Sequence, residues 1–133
     1  RYGLTEPLRA LADGLLQATV HFEHGRLPEL FAGFSRSQYR VPVRYPVACH
    51  PQAWAAGAVL QLLAACLGLR ADAPAGRLEI ASPVLPSFVQ EVDLLGLRVG
   101  DARVDLAFRH RQAGRVSVEI TSKQGRLDVI LPP

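Results

Sequence analysis

The chain has 133 residues with a formal net charge of +3. Its 49% hydrophobic and 20% charged content is the balance of one globular unit with its own core, which excludes a disordered or collagen-like chain. The positive charge comes from arginines spread along the sequence and one lysine, Lys123, without any run, which argues against a clustered nucleic-acid stripe. Two cysteines, Cys49 and Cys66, make no disulfide framework and fit a reducing, cytoplasmic setting.

The first residues, "RYGLTEPLRA", carry no signal-peptide pattern. The first predicted element is a helix from about Glu6 to His21, with Leu8, Leu11, Leu15, Ala18 and Phe22 at helical spacing and Thr5 as its N-cap. A loop rich in proline and aromatic residues follows, "GRLPELFAGFSRSQYRVPVRYPVACHPQAWAAG". A second helix is expected from Pro51, which suits a first helical turn, to a stop at Gly68. Its longest apolar run, Ala53 to Leu69, is broken by Gly57, Gln61 and Gly68, so it reads as a buried helix and not as a membrane span. Because it is apolar nearly all round, it should be covered on most faces.

From Arg77 the period changes to alternation. "RLEIA", "LRVGDARVDLAFRH", "VSVEITS" and "RLDVIL" are separated by turn signals at Gly100-Asp101, Gln112-Ala113-Gly114 and Gln124-Gly125, which predicts an antiparallel meander with one wet face. "ADAPAG" and "SPVLPSF" are expected to be surface connections. Two helices cannot enclose a core by themselves, so either the meander covers the second helix or helices outside this sequence do.

Among residues with chemistry, Glu29 stands out in "LPELF", where apolar neighbours would desolvate a carboxylate and suit it to proton transfer. The competing reading is a first-turn glutamate favoured by a helix dipole after Pro28. Phe34, Tyr39, Tyr45 and Trp54 add aromatic surface of the kind that holds sugars, and equally of the kind that fills cores. His21, His24, His50 and Cys49 match no metal-ligand spacing, so no metal and no cofactor are expected. No Ser-His-Asp order, phosphate loop or dinucleotide fingerprint occurs, and His110 falls in a predicted strand, facing solvent.

The words "LPELFAG" and "YPVACHPQAW" together resemble the C-terminal end of bacterial proteins related to the glycogen debranching enzyme, of the amylo-α-1,6-glucosidase type. The matching positions are Leu27, Pro28, Glu29, Leu30, Phe31 and Gly33, then Tyr45, Pro46, Ala48 and Cys49, then Pro51, Gln52, Ala53 and Trp54. His50 departs from the small capping residue expected before the proline. The resemblance covers the first half of the chain firmly and the strand-rich remainder loosely.

This resemblance implies an α+β fragment: the last helices of an (α/α) six-hairpin toroid and its active-site loop over residues 1–73, then a C-terminal antiparallel β appendage over 74–133. It implies an inverting glycoside hydrolase acting on an α-glucan or oligosaccharide. Glu29 would be the general base, and the general acid would lie upstream, roughly 6.5 to 9.5 Å away from it in the folded site. Gln52 and Trp54 resemble residues lining the glucose subsite, with Tyr45 and Arg44 near it. The implied partners are the substrate and the rest of the toroid, with no nucleic acid and no membrane. The isolated chain is expected to be inactive and to self-associate through its uncovered helix. The alternative is a non-catalytic carbohydrate- or protein-binding module built on the meander, whose mark would be exposed aromatics on the strands. Only Phe108 is available there, and its neighbours Val104 and Leu106 suggest an inward face.

Overall fold

The computed structural model describes residues 3–111 and 114–132, in which two helices precede two three-stranded sheets. Arg1 and Tyr2, and the Gln112-Ala113 part of an expected turn, lie outside the described residues. The backbone divides into two compact units, one formed by residues 10–63 and the other by residues 64 onward together with the stretch up to Arg9. No described helix is long and apolar enough to cross a membrane.

Helix α1 spans Thr5–Thr19. Thr5 is its first residue and not its cap, and the first bond runs from the Leu8 amide to the Leu4 carbonyl at 3.1 Å. No glycine stops it. Its end tightens through i→i−3 bonds at His21 and Phe22, and the Thr19 hydroxyl donates to the Leu16 carbonyl at 2.7 Å. Ala12 and Ala18 are buried, whereas Leu11, at an expected core position, is exposed.

Helix α2 spans Ala53–Cys66, so Pro51 lies before it and not in its first turn. The Gln52 carbonyl accepts the Ala56 amide at 2.9 Å, which makes Gln52 the capping residue and removes His50 from that role. The expected all-round coverage is not observed. Ala55 and Cys66 are buried, while Leu60 is 71% exposed. Apolar residues surround this axis, and a helix met along one stripe leaves the others facing water. The helix does stop where the glycine predicted it would. Gly68 has φ +68°, its amide donates to the Ala65 carbonyl at 3.2 Å, and its carbonyl accepts the Ala81 amide at 2.9 Å.

The strands form two sheets instead of one meander. Strand β1 (Leu69–Asp72) pairs antiparallel with β2 (Arg77–Ile80), and β2 pairs parallel with β6 (Asp128–Ile130). Strands β3 (Glu91–Val99), β4 (Ala102–His110) and β5 (Val116–Gln124) form the actual meander. β1 escapes the period-two reading because "LRAD" is short and half charged, so "ADAPAG" begins as the end of a strand and continues as the turn of a hairpin. The first half of β3 escapes it because a bulge at Leu95-Gly96 breaks the alternation. Gly96 takes φ +66° there, and its amide donates to Asp105 Oδ1 at 2.6 Å. The turn at Gly100-Asp101 is as expected, with φ +59° at the glycine.

Both sheets feed buried side chains to the core: Leu78 and Ile80 from one, Val104, Leu106 and Phe108 from the other. "SPVLPSF" is corrected from a surface connection, since Val84, Leu85 and Pro86 are buried within it. On the opposite face of the meander, Arg109 bonds Asp93 at 2.6 Å and Glu91 at 3.1 Å, and the Asp93 hydrogen bond raises the arginine's pKa. His110, also on β4, is half-buried and not simply solvent-facing. Lys123 Nζ donates to the Leu127 carbonyl at 3.1 Å.

Gly68→Ala should be among the most damaging single changes, because its Cβ would collide with the Ala81 carbonyl in a backbone region that costs alanine about 1–2 kcal/mol by itself. Thermal unfolding should show a loss of about 2–4 kcal/mol. Gly57→Ala meets nothing within 4 Å and should stabilise α2 slightly in the same measurement.

Candidate functional site

Residues 26–52 fold as an arch whose two arms run antiparallel. The Ala32 amide donates to the Val43 carbonyl at 2.8 Å and the Tyr45 amide to the Leu30 carbonyl at 3.1 Å, with Phe31 and Arg44 as the bridged pair between them. The prolines explain why this is an arch and not a regular hairpin: Pro28, Pro42 and Pro46 lack the amides a continuous ladder would need. At the tip, the Ser35 carbonyl accepts the Gln38 and Tyr39 amides, both at 3.0 Å. Its hydroxyl accepts the Ser37 amide at 3.2 Å. Phe34 and Tyr39 stack across that turn with ring centroids 4.5 Å apart.

Glu29 closes the base of the arch. Its Oε2 accepts the Cys49 amide at 3.0 Å, and its own amide donates to the Cys49 carbonyl at 3.4 Å. No helix begins at Pro28, so the first-turn reading of Glu29 is corrected: the residue lies at a bend and its carboxylate bridges two arms twenty residues apart. The desolvation expected from its neighbours is partial. Leu27 and Pro28 are buried but Leu30 is exposed, and the glutamate itself is half-buried. Oε1 receives no hydrogen bond from the described residues.

The other candidates lie along the returning arm and at the start of α2. Arg44 faces Phe31 through the bridge, and Tyr45 follows it with an exposed ring. A turn closed by the Ala48 amide on the Tyr45 carbonyl then leads to Cys49. Gln52 is half-buried and spends its carbonyl on the cap of α2, while Trp54 is 59% exposed. The arch therefore joins Glu29, Arg44 and Tyr45 through backbone pairing. It joins Gln52 and Trp54 to them only through the short stretch after Cys49. Cys49 is exposed and Cys66 buried, and neither is in a disulfide. His50 packs against Phe22 at a centroid distance of 6.4 Å, with Nδ1 buried and unpaired among the described residues.

None of these candidates lines the apolar groove of this unit, a hollow of about 390 Å³ between α1 and the tip of the arch. Leu11, Leu15, Phe34, Arg36, Tyr39 and Arg40 line it. Its one legible trace in the sequence is a pair of aromatics flanking the polar turn "SRSQ". Comparison with known protein families, with characterised proteins and with solved structures finds no match.

Glu29 has a structural task that can be measured apart from any catalysis. Glu29→Ala removes the acceptor of the Cys49 amide and should cost about 1 kcal/mol, speeding hydrogen exchange at that amide roughly five- to tenfold. Glu29→Gln keeps a carbonyl acceptor and should leave exchange at Cys49 near its original rate.

Proposed function

We propose that this chain is the C-terminal part of an inverting glycoside hydrolase of the glycogen-debranching type, acting on an α-glucan, with Glu29 as general base. The observation that carries the reading is the state of the Glu29 carboxylate. One oxygen is fixed by the Cys49 amide, and the other receives no hydrogen bond from the described residues. A base that must orient one water needs that combination, a fixed carboxylate plane with an accepting lone pair to spare. The fixed plane also explains why the "LPELF" and "YPVACHPQAW" words occur together: the partner of Glu29 is the cysteine of the second word.

In this reading the general acid comes from outside the chain, so Glu29 by itself cannot complete hydrolysis. Trp54 and Tyr45 offer exposed rings to a sugar face, and Arg44 and Gln52 offer polar groups beside them. The uncovered faces of α2 support membership of a six-hairpin toroid, because an inner helix of such a barrel gains its cover from neighbouring hairpins. Two cysteines outside any disulfide suit a cytoplasmic protein. The alternative, a binding module on the β meander, loses support from Phe108, the sole aromatic of the described strands, which is fully buried.

In the full-length protein, Glu29→Gln should lower kcat by a factor on the order of 100 to 10,000 with little change in KM. Preserved Cys49 exchange in the same variant would assign the loss to the missing basic oxygen and not to a loosened arch. Near-normal turnover would end the assignment. The 133 residues alone should release no glucose from branched or linear α-glucans, and they should self-associate in sedimentation through surface that includes Leu60, with Leu60→Glu shifting them toward monomer.

A further inference from the structure

The groove between α1 and the arch tip has a chemistry that the glucan reading does not use. Its floor is apolar, from Leu11 and Leu15 on the helix and the stacked Phe34 and Tyr39 on the arch. Its charged lining consists of Arg36 and Arg40, and no carboxylate lines it among the described residues. Neither guanidinium makes a hydrogen bond or ion pair with any described residue. The volume of about 390 Å³ falls within the roughly 300–1,000 Å³ of small-molecule sites, and is too small for a folded partner.

We propose that this groove binds a small amphipathic carboxylate, with the aromatic or aliphatic body against Leu11, Leu15 and the Phe34–Tyr39 stack and the carboxylate at Arg36 and Arg40. Charge complementarity selects this class. Two unpaired cations beside an apolar surface favour an anion that also buries hydrocarbon. They disfavour a neutral sugar, which would leave both guanidinia without a charged partner. Arginine suits the role because its planar fork meets a carboxylate with two parallel bonds. The site shares no lining residue with Glu29, Arg44, Tyr45, Gln52 or Trp54, so it stands whether or not the glucan reading does.

The test uses the full chain with phenylbutyrate and phenylbutylamine, two probes with the same body and opposite charge, followed by amide chemical shifts at low salt. Phenylbutyrate should shift the amides of Gly14, Ala32 and Val41 and bind about tenfold more tightly than the amine, with the difference shrinking as salt is added. The double change Arg36→Gln with Arg40→Gln should abolish that preference, and Arg36→Glu with Arg40→Glu should reverse it. Both residues are exposed and unpaired, so these variants should fold. Leu11→Gln, also at an exposed position, should weaken both probes alike. Equal binding of the two probes, shifts confined to residues outside the groove, or a preference for phenylbutyrate that survives the double glutamine variant would each overturn the proposal.

Discussion

The pairing of Glu29 with Cys49 is the constraint on which the helical unit depends. A 27-residue connection with several prolines has few amides to spend on a ladder, and a long unpaired loop would lose more conformational entropy on ordering than its contacts return. The chain resolves this with two backbone bonds in the middle of the arch, a serine-centred turn at its tip and a carboxylate–amide bond at its base. The last is charge-assisted, which makes it stronger than an ordinary amide–carbonyl bond. It also fixes where Tyr45 and the start of α2 begin relative to Leu27, so every candidate sugar contact inherits its position from the same closure.

That closure accounts for what could and could not be read from the amino acids. Helix spacing found α1 and α2 to within two residues at each end, and the glycine stop at Gly68 was visible because a left-handed residue after an apolar helix is a local signal. Alternation found β4 and β5 for the same reason. What escaped depends on distant partners. No local pattern says that Asp128–Ile130 lies parallel to Arg77–Glu79, or that Val84 and Leu85 point inward from a segment bracketed by prolines. Glu29 stands out in the sequence, but its bond to Cys49 spans twenty residues, and neither local reading of it contains that partner. The groove leaves only the aromatics around "SRSQ" as a trace, because it pairs a helix face with a turn.

The exposed apolar surface and the polar sheet face answer to different demands. On the meander, Arg109 ties Glu91 and Asp93 into one network, giving that face a solvated character that no further layer is needed to cover. On α2, Trp54 and Leu60 offer nothing comparable to water.

The parallel bond between β2 and β6 joins segments separated by roughly fifty residues, and the whole β3–β4–β5 meander lies between them. Closing so long a loop from an open chain is entropically slow, but the meander is built from adjacent hairpins that can form by themselves. Once formed, it draws Gly125 against Ala102 and hands β6 back toward β2 as the end of a short tether. The second sheet thereby serves as the assembly jig for the first, and the Gly96 bulge and Gly100 turn, which contribute little to the core, set how promptly the distant strands meet.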